Sequence, residues 1–158
     1  MNWPYLHTII NHFPIILSVV GTAVLVLAAL TGRRGIWLYA VATLTLAGLS
    51  VYPAFYTGDA AAHALRSTWY VVHSMVEEHE AAADFALASM LIVGALNAYV
   101  WWRLLRRDVT QLPPTWLRVV VLLVSLWGVS VVARTAYLGG KIVHESPKLA
   151  TPPAVQGT

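Results

Sequence analysis

The sequence predicts an all-α integral membrane protein, an antiparallel up-down bundle of four helices. Of its 158 residues, 58% are hydrophobic and only 11% are charged, whereas about a quarter of the residues in a soluble domain are charged. Four apolar segments each reach the roughly 20 residues that a helix needs to cross the hydrocarbon core of a bilayer. The composition and these segments therefore predict one membrane domain over residues 1–146.

The four predicted spans are bounded by turn-forming residues. They cover residues 9–30, 36–56, 81–102 and 116–138 of the chain. Gly32 marks the first turn, and Pro113 and Pro114 interrupt the chain before the fourth span. The longest connection is 57–80. The tail, 147–158, has no apolar periodicity, and we expect it to be flexible.

Basic residues predict how these spans are oriented. Most of them lie in the two loops that join span one to span two and span three to span four: Arg33, Arg34, Arg103, Arg106, Arg107 and Arg118. The opposite side holds most of the acidic residues. The positive-inside rule therefore places the arginine loops in the cytoplasm and both termini on the outer side. Because the basic residues follow membrane topology, we expect membrane lipid as a partner and no binding to nucleic acid.

All the histidines fall at the predicted outer end of the spans: His7, His12, His63, His73, His79 and His144. His73 shares a helical stripe with carboxylates and is interpreted as part of a solvated face. His79 has apolar helical neighbours and points into the bundle. Since ionisable groups in membrane spans are costly and tend to mark function, the histidines that arrive from three spans are candidate ligands: His7, His12, His79 and His144.

His7 and His12 cannot both ligate one metal from a straight helix. Their side chains are five residues apart, which is about 140° around the helix. Pro14 disturbs the geometry, because its ring clashes with the preceding turn. Two arrangements therefore stay open: two neighbouring sites, or one ligand with a second histidine that orients it or carries protons.

The cofactor that these residues favour is haem b, with one or two haems per chain. The chain has no cysteine, which excludes cysteine-ligated iron–sulfur clusters and covalent c-type haem. A b-type haem needs one axial histidine on each of two helices, and we prefer His12 and His79. His7 and His144 then complete a second site or support the first.

Two further predictions concern the surroundings of the histidines. Arg134 and Lys141 lie near the outer end of span four and are candidate partners for haem propionates. A copper or zinc ion is the alternative cofactor, because both metals bind imidazole readily, with Glu80 or Asp84 as an added carboxylate ligand.

Three stretches of the sequence, "LHTIINHFPI", "HEAAADFA" and "YLGGKIVHE", together resemble a bacterial family of small four-helix membrane proteins catalogued as domain of unknown function 2231. The first motif carries His7 and His12 in register with the family's L-H-P-x-x-V-H-F-P-I pattern. His79 matches its second motif, and Gly139 with Gly140 its third. The resemblance covers residues 6–146.

The resemblance implies a function at the outer face of a bacterial inner membrane. Some members of the family are joined to, or encoded beside, cytochrome c-like or other redox modules, which implies electron transfer. His144 stands where the family usually has tyrosine, and Ser146 where it usually has histidine. The fourth ligand therefore stays open.

We predict a b-type cytochrome-like subunit that passes electrons between the membrane quinone pool and an outer redox partner such as a cytochrome c. An electron-transfer or accessory subunit is favoured over a stand-alone enzyme. One alternative is a non-catalytic membrane anchor of a larger complex, in which the histidines are only interfacial. The other is a histidine-based transition-metal site.

Overall fold

The chain forms five helices in a computed structural model, which describes residues 2–68, 71–108 and 110–146. The helices are α1 Trp3–Ile10, α2 His12–Thr31, α3 Arg34–Leu65, α4 His73–Leu105 and α5 Thr115–Glu145. α1 and α2 follow each other directly, and together they form one of four helical units long and apolar enough to cross a membrane. No strand occurs in the three described ranges. The predicted all-helical class is thus confirmed, whereas the predicted flexible tail, 147–158, lies outside the described residues.

The helices continue past the predicted spans at the end where the histidines lie, which we call the histidine end. α3 runs on to Leu65 and α4 already begins at His73, so the irregular connection is much shorter than the 57–80 that the sequence predicted. Alanine is the strongest helix former, and residues 60–62 are all alanine. Helical propensity therefore extends α3 beyond the point where its apolar run ends.

The break between α1 and α2 falls at Asn11 and has a local cause. Pro14 has no backbone N–H, so the carbonyl of Ile10 receives no helical hydrogen bond from it. Asn11 still donates its N–H to the carbonyl of His7 at 2.9 Å, which ends α1. α1 begins with a side-chain cap, because Asn2 accepts a hydrogen bond from the N–H of Tyr5 at 3.2 Å. α1 therefore ends at Ile10, while the backbone of Asn11 itself keeps right-handed helical angles.

At the end opposite the histidines, an arginine at the start of one helix bonds to the end of another. α2 ends at Gly32, whose φ of 65° lies in the left-handed region that glycine adopts without strain. The chain then turns directly into α3, where the Arg34 guanidinium donates to the carbonyl of Leu104 and, at 3.4 Å, to that of Arg107. The last carbonyls of a helix have no partner within it. Arg34 thus fixes the start of α3 to the end of α4.

The helix contacts close on themselves: α2 packs on α3, α3 on α4, α4 on α5, and α5 on α2, while α1 lies against α3. The core between them is apolar, and Trp37 is its largest fully buried side chain. Asn97 of α4 is also fully buried; its amide donates to the Val93 carbonyl and, across to α5, to the Ser125 hydroxyl at 3.3 Å. Side-chain hydrogen bonds of this kind join helices inside a bilayer.

The outward faces of the helices are apolar as well. Large hydrophobic side chains are exposed along the outside of every long helix, among them Leu30, Leu49, Ile92 and Leu123. Soluble proteins rarely expose apolar surface this extensive. The surface therefore supports the multi-pass membrane class that the hydropathy of the helices indicates.

α3 and α4 approach each other closely at two glycines. A Cβ added to Gly48 would lie 2.5 Å from the Gly94 Cα and 2.8 Å from the Met90 carbonyl oxygen. Small residues are what allow membrane helices to come this close. The crossing of α3 and α4 consequently depends on Gly48 and Gly94.

Replacing Gly48 with alanine should force α3 and α4 apart. We expect the free energy of unfolding to fall by about 1–3 kcal/mol, which is typical of overpacking. Gly35→Ala is the matched control, since a Cβ there meets nothing within 4 Å. Reversible unfolding in mixed micelles, followed by circular dichroism, measures both variants, and equal stabilities would contradict the close crossing.

Candidate functional site

Two histidine side chains from different helices meet at the histidine end. His7 comes from α1 and His79 from α4. Their ring centroids are 6.4 Å apart, and the ring planes meet at 70°. An imidazole nitrogen lies about 2 Å from a metal that it ligates, so two rings that share one metal have centroids roughly 5–6 Å apart. The observed spacing is close to that range.

Both imidazoles are held by hydrogen bonds to the backbone of a neighbouring helix. Nδ1 of His7 lies 3.1 Å from the carbonyl oxygen of Ala54 in α3, and 3.3 Å from the Thr57 hydroxyl. Nδ1 of His79 lies 3.1 Å from the carbonyl oxygen of Thr135 in α5. A carbonyl only accepts, so each ring carries its proton on Nδ1 and each neutral ring keeps a lone pair on Nε2. Metal-ligating histidines usually donate their other ring N–H in this way.

Each imidazole also packs against a glycine of the helix that holds it. A Cβ added to Gly58 would lie 3.0 Å from Cε1 of His7, and one added to Gly139 would lie 3.1 Å from Cε1 of His79. The two rings occupy the space that a side chain would otherwise fill. We call Gly58 and Gly139 the seat glycines.

The other predicted histidine ligands do not converge on this pair. His12 is exposed, and its Nδ1 donates to the Thr8 carbonyl one turn earlier in the chain. His144 is exposed near the end of α5. The structure therefore pairs His79 with His7, and not with His12 as we preferred from the sequence. His12 follows the break at Asn11 and points away from the neighbouring helices.

His63 and His73, which the sequence did not favour as ligands, are also exposed. His63 donates from Nδ1 to the Asp59 carbonyl at 2.9 Å within its own helix. Within the described ranges, no group of three His, Asp or Glu side chains is placed to hold a metal ion. A metal held at this end would take two protein ligands, His7 and His79.

The predicted cationic residues lie beside two shallow grooves. Arg134 is exposed and borders a groove of about 210 Å³ between α4 and α5, next to Thr135. Lys141 and His144 border another, of about 240 Å³, on α5. Pockets that enclose a drug-sized ligand measure about 300–1,000 Å³. Neither groove is large enough to enclose a haem, and neither is lined by His7 or His79.

Sequence reasoning missed the residues that position the imidazoles. Ala54, Gly58 and Thr135 carry no reactive group, so no chemical motif marks them. One signal was present: both seat glycines stand two residues after a tyrosine and five before a histidine.

Comparisons of the chain with protein-family models, with curated proteins and with solved structures give no significant match. The resemblance of its motifs to domain of unknown function 2231 therefore stays a prediction.

The hydrogen bonds to Ala54 and Thr135 predict the ring tautomers. In the metal-free protein at about pH 8, where an ordinary histidine is neutral, His7 and His79 should both carry the proton on Nδ1. Long-range ¹H–¹⁵N spectra of the histidine-labelled protein report the tautomer, and His7→Gln and His79→Gln assign the two signals. A proton on Nε2 in either ring would contradict the geometry.

Proposed function

We propose that this chain is a membrane-embedded electron-transfer subunit in which His7 and His79 are the two protein ligands of one redox metal centre, a haem b. The observation that carries the proposal is the pair of imidazoles 6.4 Å apart, each fixed through Nδ1 to a backbone carbonyl of another helix. The two Nε2 atoms are then the nitrogens left to ligate.

The number of protein ligands, two imidazoles, favours haem over a bare ion. A porphyrin supplies four ligands to its iron, so two imidazoles complete the coordination, and the bound group would supply one-electron chemistry. A zinc site usually needs three or four protein ligands, and the described residues bring no third one to this pair. The hydrogen bonds from Nδ1 raise the basicity of the ligating nitrogens and fix the ring planes.

The charges at the two ends support an outward-facing site. The end opposite the histidines carries Arg33, Arg34 and the arginines around the end of α4, which the positive-inside rule assigns to the cytoplasm. The histidine end carries exposed carboxylates, including Asp59, Glu77 and Glu78. A negative surface would steer a basic redox partner such as a cytochrome c towards the site. The quinone pool of a bacterial inner membrane is the proposed electron donor, and both chain termini would lie in the periplasm.

A copper ion held by the same two histidines is the second candidate. A single ion needs no enclosing pocket of the size that a haem requires, and neither described groove reaches that size or is lined by His7 or His79. Copper binds imidazole tightly and would serve the same one-electron role. A chain without any metal would instead be an accessory subunit of a larger complex.

The proposed orientation is tested by labelling single cysteines, for which the chain offers a cysteine-free background. Ser67→Cys lies at the histidine end and Gly35→Cys at the opposite end, and both positions are exposed. In intact spheroplasts, a membrane-impermeant maleimide should label Ser67→Cys, and it should label Gly35→Cys only after permeabilisation. The reverse pattern would place the site on the cytoplasmic side.

The metal centre is tested by the visible spectrum of the purified protein, reduced with dithionite minus oxidised. We expect a sharp α-band of a bis-histidine b haem and about one haem per chain, because two axial ligands bind one iron. His7→Ala and His79→Ala should each lose this band. His12→Ala and His63→Ala are the matched controls and should keep it, since both residues are exposed and bonded to a carbonyl one turn earlier in the chain.

A protein without a Soret band, although haem was supplied during expression, would rule out the haem. Copper analysis of the same sample then separates the remaining readings. Copper that depends on His7 and His79 supports the second candidate, and no metal at all supports the accessory subunit.

A further inference from the structure

The two halves of the chain repeat one pattern of residues. Histidine followed six residues later by phenylalanine occurs as His7 with Phe13, and again as His79 with Phe85. Tyrosine, glycine and histidine at spacings of two and five then occur twice in α3 and α5, as Tyr56, Gly58 and His63, and as Tyr137, Gly139 and His144. The order of the two patterns is the same in both halves.

The repeated aromatic residues are exposed to similar extents. The exposed fractions of Phe13 and Phe85 are 57% and 51%, and those of Tyr56 and Tyr137 are 58% and 68%. The two members of each pair are therefore exposed to a similar extent, although Phe85 also packs on Trp127 and Tyr56 on Trp3.

The contacts of the two imidazoles match in distance, except that Nδ1 of His7 also lies 3.3 Å from the Thr57 hydroxyl. From the added Cβ of Gly58, the distances to Cε1, Nδ1 and Nε2 of His7 are 3.0, 3.3 and 3.6 Å; from that of Gly139 to His79 they are 3.1, 3.4 and 3.7 Å. Each Nδ1 lies 3.1 Å from the carbonyl oxygen four residues before its seat glycine, that of Ala54 or Thr135. Two sites built independently would not be expected to agree in both respects.

Helix geometry explains why a glycine stands four residues after each accepting carbonyl. The Cα–Cβ bond in a helix tilts towards the N-terminus, so the side chain at one position covers the backbone four residues earlier. A residue without Cβ leaves that carbonyl open on one side. The carbonyl has two lone pairs, one for the helical N–H and one for an imidazole. Glycine thus makes the hydrogen bond from the histidine of the neighbouring helix sterically accessible.

We infer that the site is a duplicated half-site, in which Gly58 and Gly139 are equivalent positioning residues that present His7 and His79 as symmetric ligands of a single metal centre. The first half is α1 with α2 and α3, and the second is α4 with α5. This inference deepens the proposed function and rests on it for the metal, while the positioning of the two rings stands on the protein alone. Such a site would suit a metal centre that accepts two equivalent imidazole ligands.

The positioning is tested in the full-length metal-free protein with Gly58→Ala and Gly139→Ala. The new methyl group must displace the imidazole that it faces by a few tenths of an ångström. We expect Gly58→Ala to shift the long-range ¹H–¹⁵N signals of His7 most, and Gly139→Ala to shift those of His79 most. Gly140→Ala and Gly35→Ala are matched controls on α5 and α3, because a Cβ at either position meets nothing within 4 Å.

The equivalence of the halves is tested by titrating the same variants with haemin. Gly58→Ala and Gly139→Ala should weaken binding by similar factors, on the order of tenfold, as is typical when groups that orient a metal-ligating histidine are changed. The two controls should bind as the wild type does. If only one seat variant weakened binding, the halves would not be equivalent.

The two readouts separate failure of the positioning from failure of the metal assignment. Unchanged histidine signals in both seat variants, or a shift in Gly140→Ala as large as that in Gly139→Ala, would overturn the duplicated half-site. If each seat variant shifts the signals of its own histidine but the wild-type protein binds no haemin, the half-sites stand and the haem is refuted.

Discussion

Close contact between helices at positions without a Cβ is the constraint on which the rest of this structure depends. At mid-helix, Gly48 and Gly94 bring the backbones of α3 and α4 together. At the histidine end, Gly58 and Gly139 leave room for an imidazole instead of a neighbouring backbone. A bilayer provides little hydrophobic driving force between helices, so such packing and interhelical hydrogen bonds hold the fold together. The same device therefore supports the bundle and the site.

The site follows from that packing in a short sequence of causes. A glycine uncovers a helix carbonyl, the carbonyl accepts the Nδ1 proton of an imidazole, and the imidazole keeps its Nε2 lone pair. Because this happens once on α3 and once on α5, two such lone pairs occur at one end of the molecule. Charges elsewhere are compatible with this role: the arginines close the opposite end, where Arg34 caps α4, and the carboxylates surround the histidine end.

The sequence was sufficient for the features that depend on length and periodicity. Apolar runs of about 20 residues predicted four membrane helices, and the structure contains four helical units that meet this criterion. The clustering of the histidines at one end of the helices also followed from their positions relative to these runs. The extension of α3 to Leu65 did not, because the alanines that continue it are not apolar enough to mark a span.

The choice of ligands depended on side-chain directions, which the sequence does not give. His7 and His12 both precede the long apolar run of α2, and their spacing alone showed only that they point to different sides. Only the packed helices show that His7 faces α3 and α4 while His12, about 140° around the helix, is exposed. The accepting carbonyls of Ala54 and Thr135 belong to residues without any reactive side chain, so only the folded backbone reveals them.

The central claim is that one metal is shared by His7 and His79, and X-ray absorption spectroscopy of the purified protein tests it most directly. The edge identifies the metal, and the fine structure counts the imidazole ligands around it. The account predicts a stoichiometric metal, iron in a porphyrin, with two imidazole ligands, and one fewer imidazole in His79→Ala. A protein that contains no stoichiometric metal, or a metal whose imidazole count is the same in His79→Ala, would contradict it.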